Sequence, residues 1–182
     1  SSAHRLRSLL TPDFGYIFQV IFLMTKLSSP VDTTKTIIPP IVNWLGYGGL
    51  LPFLALAAAV WVDSSRSSLW VDILLVYGSV ILSFVGALHW GVAMCHSDMS
   101  EHQRAHYFVW SVVPALLAWV ALLVKYALSP KYACVLLVAG FLIHFWQDKR
   151  LVKVVNMPLW YLPLRLRLTL VACVSLLSSY IA

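Results

Sequence analysis

The sequence predicts an all-α polytopic membrane protein: a bundle of about five transmembrane helices preceded by a short N-terminal arm. Three observations carry this expectation. Of its 182 residues 60% are hydrophobic and only 11% charged, where soluble domains hold roughly 45–50% apolar and about 25% charged residues. The apolar residues gather in runs near the ~20 residues that a helix needs to cross a bilayer. The polar connections between those runs, the longest being 147–159, are too short to fold into a catalytic domain.

Residues 1–40 form the arm, expected to be an interfacial or docking element. Its first residues, Ser1 to Ser8, are basic and Ser-containing, and no acidic residue precedes Asp13; such a start resembles the remnant of an organellar presequence. The strongly apolar stretch from Tyr16 to Met24 is too short to span. Pro39-Pro40 ends the arm, and 41–182 is the five-helix transmembrane domain.

The first span is expected over 41–62, with Gly46, Gly48, Gly49, Pro52 and the Ala-rich stretch Ala55 to Ala59. The second covers 69–94, with Asp72 in its first turn, where a carboxylate meets the positive end of the helix dipole. Ser100 and Gln103 are spaced for a capping box, so helix begins before the third span, 107–124. Pro114 should kink that span. The fourth, 132–146, is short unless it tilts or borrows flanking residues. The last covers 160–182 and carries Arg165 and Arg167 in its early turns.

Charge assigns the bundle a side. Arg5, Arg7, Lys26, Lys35, Arg104, Lys149, Arg150, Lys153, Arg165 and Arg167 fall on the amino-terminal side, ten against Arg66, Lys125 and Lys131 opposite. Cytoplasmic or matrix loops collect Lys and Arg, so the amino terminus is expected inside. The net charge of +6 comes from loops and helix ends; without a basic stripe it predicts no nucleic-acid partner. Cys95, Cys134 and Cys173 are odd in number and far apart, which points to buried free thiols rather than a disulfide framework.

Candidate functional residues fall into four groups. Ser79, Ser83, Ala87 and Gly91 recur every four residues beside Gly78 and Gly86, a flat face on which another helix can pack closely. His89 and His144 are intramembrane titratable groups near the inner ends of parallel spans; together with Asp148 and Arg165 they make a possible buried polar cluster. Neutral hydrogen-bonded rings, a quinone head-group site and a haem are the readings open to them, and nothing in the spacing enforces the matched depth and facing rings of a bis-histidine haem. Cys95, His96, His102 and His106 have metal-ligand types, with His102 and His106 on one helical face, yet a solvated helix end accounts for them and no metal is expected. Arg165, Arg167, Trp160 and Lys149 lie at the inner interface. The two arginines stand about 200° apart around the helix, so one can pair with Asp148 while the other reaches a lipid phosphate, as in a cardiolipin-binding pocket.

Enzyme signatures are missing from the sequence: there is no Ser-His-Asp arrangement, HExxH, phosphate loop or pair of intramembrane carboxylates. The runs Tyr47-Gly-Gly-Leu-Leu-Pro-Phe53, Tyr77-Gly78, Ile81-Leu-Ser-Phe-Val-Gly86, His89-Trp-Gly91, Trp110 with Pro114 and Trp119, and Pro158-Leu-Trp-Tyr161 followed by Leu164-Arg165 and Leu168-Thr169 resemble the transmembrane-protein-69-like family. That resemblance covers about residues 41–182 and implies a five-span membrane protein of bacteria and mitochondria. It brings no established activity and no catalytic residues. The expected function is a non-catalytic accessory subunit of a mitochondrial inner-membrane oxidative-phosphorylation complex, such as a respiratory complex or the ATP synthase, in contact with lipids and other membrane subunits. No cofactor is expected beyond a bound cardiolipin. A redox or quinone-binding protein using His89 and His144, or a transient assembly factor, are the alternatives.

Overall fold

The structure, a computed structural model, describes residues 38–97 and 99–181. The arm expected over 1–40 lies, apart from 38–40, outside the described residues. The described residues form six α-helices: α1 Pro40–Gly48, α2 Leu51–Val62, α3 Ser67–Cys95, α4 Glu101–Ala127, α5 Pro130–Val154 and α6 Tyr161–Ile181. No strand occurs among the described residues. The architecture is an all-α membrane bundle.

Helices α1 and α2 together make one apolar segment, Pro40–Val62, long enough to cross a membrane. Gly49, the C-cap of α1, donates its N–H to the Leu45 carbonyl, and Pro52 enters the first turn of α2, where its missing N–H leaves no bond unmade. A 3₁₀ turn, Ser64–Arg66, leads into α3. There Asp63 accepts hydrogen bonds from Ser65 Oγ at 2.6 Å and Trp70 Nε1 at 3.2 Å.

Helix α3 begins five residues before Asp72, so Asp72 does not stand in the first turn, where the helix dipole was expected to hold it. Its carboxylate instead meets Lys125 Nζ of α4 at 3.0 Å. Helix α4 opens on a reciprocal capping box between Ser100 and Gln103 and carries Pro114 within its length. Helix α5 is 25 residues long, about 37 Å. It continues straight through 147–153, which reads as a polar connection in the sequence. The reason is burial: Gln147 and Asp148 are enclosed by neighbouring helices, while Lys149, Arg150 and Lys153 stay exposed on the same turns. Four segments, α1 with α2, α3 with the preceding turn, α4 and α6, are long and apolar enough to span; α5 has the length, but its last turns are polar.

Helix α3 sits at the centre, touching α2, α4, α5 and α6, and the outer circuit closes through α4 on α5, α5 on α6 and α6 on α2. Phe53, Leu74, Leu75, Leu82, Leu137 and Leu176 are fully buried between them, and a second apolar group, Ala93, Met99, Tyr107, Leu151 and Val155, closes the other end. Two glycines permit the closest approaches. A Cβ on Gly86 would lie 2.9 Å from the Pro114 ring, and one on Gly140 would lie 2.7 Å from Leu82. Trp44, Trp61, Phe84, Leu116 and Val174 point outward, as lipid-facing residues do.

The small-residue face divides. Gly78, Ser79 and Gly86 are buried and Ser83 is half-buried, but Ala87 and Gly91 are exposed, and nothing lies within 4 Å of where a Gly91 Cβ would be. Of the residues expected to serve helix packing, Ala87 and Gly91 therefore meet no helix of this bundle. Each step of four residues advances about 40° around a helix, so the row winds from core to outside by about 120° between Ser79 and Gly91. Ser79 and Ser83 donate to the Leu75 and Ser79 carbonyls of their own helix, not across to another.

Candidate functional site

One end of the bundle, formed by the C-terminal parts of α3 and α5 and the N-terminal parts of α4 and α6, gathers the polar side chains. His144 and Asp148 stand one turn apart on α5, and Tyr161 and Arg165 one turn apart on α6, so each pair shares a helix face. His89 comes from α3, and Tyr107 and Trp110 from α4. Asp148 is 0% exposed, His89 and His144 1% each, and Arg165 7%.

Asp148 is the hub. Its Oδ2 accepts from Arg165 Nε at 2.7 Å and its Oδ1 from Tyr161 Oη at 3.0 Å. An ionised carboxylate in an apolar interior is costly unless it is paired and hydrogen-bonded, and these two donors meet that requirement. His89 Nε2 lies 3.5 Å and His144 Nε2 3.8 Å from the same Oδ1. The rings meet edge to face with centroids 4.7 Å apart, and His89 stacks on Tyr107. Trp110 Nε1 donates to His144 Nδ1 at 3.3 Å. Both nitrogens of His89, His144 Nε2 and Gln147 Oε1 have no hydrogen-bond partner; the Val85 carbonyl also faces the His144 ring, outside hydrogen-bond geometry.

The sequence-derived residues are thus only partly brought together. His89, His144, Asp148 and Arg165 form one cluster. The two histidine rings meet edge to face rather than across an open slot. The inner-interface group divides: Trp160 and Arg165 line a common groove, Lys149 is exposed on α5, and Arg167 is exposed, reaching Tyr47 Oη with Nη1 at 3.4 Å. Trp146 sits under Arg150, 3.5 Å from ring centroid to guanidinium carbon. Cys95, His96, His102 and His106 do not converge: Cys95 is exposed rather than buried as expected, the His96 ring bonds the Val92 carbonyl through Nδ1 at 3.1 Å, and His102 and His106 face outward. Cys134 and Cys173 are buried free thiols. Among the described residues, the group whose donor atoms could share a metal ion is His89, His144 and Asp148, all within 4.8 Å of one another.

The groove has a volume of about 430 Å³ and runs between α1, α2, α3 and α6. Its walls are apolar, with Leu45, Ile81, Phe84 and Leu168 among them, and its polar lining comes from Arg165, Tyr161, Thr169 and the Trp160 indole. Neither His89 nor His144 lines it. Sequence reasoning missed Tyr107 and Trp110 as partners of the cluster; the i, i+4 spacing of His144 with Asp148 and of Tyr161 with Arg165 was the available signal for the rest.

Comparison with known proteins places the chain. A family described as "Protein of unknown function (DUF3429)" matches residues 38–181. Transmembrane protein 69 of Xenopus tropicalis is 33% identical over 138 residues, which cover 76% of this chain and 53% of that protein. The chain therefore spans about half the length of this curated relative. No solved structure matches.

Proposed function

The chain belongs to the transmembrane-protein-69-like family, and from that premise we propose that it is a non-catalytic accessory subunit of a mitochondrial inner-membrane oxidative-phosphorylation complex, one that seats a membrane lipid. The observation that carries the reading is the groove: an apolar channel of about 430 Å³ with a single charged group, Arg165, in its lining. An apolar trough with a phenol and an indole at one end fits an acyl chain, and the exposed Arg167, rather than Arg165 paired with Asp148, is the group on the same helix left to meet an anionic head group, cardiolipin included. The charges within the bundle are occupied with one another, Asp148 with Arg165 and Asp72 with Lys125, which suits a packing role better than turnover.

The setting has its own support. Ten basic residues against three favour an amino terminus on the matrix side. The quinone reading that relies on His89 and His144 is less supported, because neither ring lines the groove.

Native mass spectrometry of the chain, extracted gently from its own membrane, tests the lipid claim. A retained phospholipid in the wild type that is lost in Leu168→Trp, which narrows the groove, is the expected result. Equal lipid retention in both, or none in either, contradicts it.

A further inference from the structure

The meeting of His89, His144 and Asp148 is accounted for neither by helix packing nor by the groove. We propose that His89 Nε2, His144 Nε2 and Asp148 Oδ1 are the protein ligands of a buried site for one divalent transition-metal ion of the zinc class. Two imidazoles and a carboxylate are the donors such ions select. Buried polar atoms are almost always partnered, and exceptions call for an explanation; here three histidine nitrogens in one place have none. The spacing is informative as well. At 3.5 and 3.8 Å from Oδ1, the Nε2 atoms are too far for hydrogen bonds; ligands held about 2.0–2.2 Å from a tetrahedral ion stand roughly 3.3–3.5 Å apart, so the His89 pair is already near that spacing and His144 must close in on the other two, the donor atoms now lying within 4.8 Å of one another.

The surroundings supply the outer shell that metal carboxylates require. Tyr161 donates to the ligating oxygen and Arg165 to the other one, which fixes the carboxylate plane. With all three ligands buried, a fourth ligand would have to be as small as water. A metal-bound water ionises readily, and as hydroxide it offsets part of the positive charge that the ion adds beside Arg165. One existing bond opposes the ion. Ligation at His144 Nε2 moves that ring's proton to Nδ1, where Trp110 now donates, so the indole N–H must turn away. Removing this donor should therefore favour the metal.

The test uses the full chain in mild detergent, stripped with chelator and titrated with Co²⁺, then loaded with Zn²⁺ and dialysed. A tetrahedral Co²⁺ visible spectrum and one Zn²⁺ retained per chain are expected. His89→Gln and His144→Gln should abolish the spectrum, Tyr161→Phe should weaken retention about 10–100-fold, and Trp110→Phe should bind as tightly as wild type or tighter. His102→Ala with His106→Ala should change nothing. Monodisperse wild-type protein that gives no such spectrum and retains no Zn²⁺ overturns the proposal and leaves a bridging water as the occupant. Loss of metal on removing His102 and His106 overturns it too. If the glutamine variants do not fold, X-ray absorption of the Zn²⁺-loaded wild type decides: two imidazole ligands are expected, and any other ligand set contradicts the site.

Discussion

Arg165 of α6 donates through Nε to Asp148 of α5 at 2.7 Å, and both side chains are closed off from the surroundings. Removing one partner of such a pair leaves an uncompensated buried charge, at a cost of about 3–5 kcal/mol. Arg165→Met alone and Asp148→Asn alone should each lower the stability of the detergent-solubilised bundle by that order. The double variant should recover a large part of the loss. Denaturant unfolding followed by helical circular dichroism measures all three, and additive losses in the double variant would count against a direct pair.

At Gly86 a methyl group has no place to go, since its carbon would stand 2.9 Å from Pro114 and 3.0 Å from the Ser111 carbonyl. Gly86→Ala should cost about 1–3 kcal/mol through overpacking. Gly91→Ala, at the exposed end of the same row, should leave the melting temperature unchanged. A comparison of the two melts checks the rotation of the small-residue face.

Lys125 is buried and its carboxylate partner Asp72 is partly exposed. Asp72→Asn therefore strands an ammonium and should cost about 1–3 kcal/mol, whereas Lys125→Met, which removes the buried charge and keeps the stem, should cost less. Thermal melts that rank the two in the opposite order contradict the pairing.

Outside the spans, the hydrogen bonds from Ser65 and Trp70 hold the Asp63 carboxyl below its ordinary value of 3.8. A depressed carboxyl contributes stability that is present above the unfolded value and disappears as pH falls through the folded one. Trp70 fluorescence should therefore change in acid below about pH 4 in the wild type and not in Asp63→Asn.

Much of the fold was legible in the sequence, because apolar runs near membrane length dominate it and Ser100 with Gln103 marks a helix start. The separation of Arg165 from Arg167 also followed from helical geometry alone: one turned inward to Asp148 and the other outward to Tyr47. What stayed hidden depends on neighbours. Residues 147–153 read as a polar connection because nothing local shows that Tyr161 and Arg165 will enclose Asp148 and let α5 continue. Asp72 read as a dipole partner because its match with Lys125 comes from the depth at which α3 and α4 cross. The contact of His89 with His144 is set by the rotation of α3 against α5, which Leu82 and Gly140 fix by touching and which residue spacing does not encode.

On the proposed function this chain resides in a larger inner-membrane assembly. The most direct measurement is native electrophoresis of gently solubilised mitochondria followed by detection of this chain. Co-migration with a mature oxidative-phosphorylation complex is the expected result. Migration as a free protein of its own size, or only with immature intermediates, would contradict it.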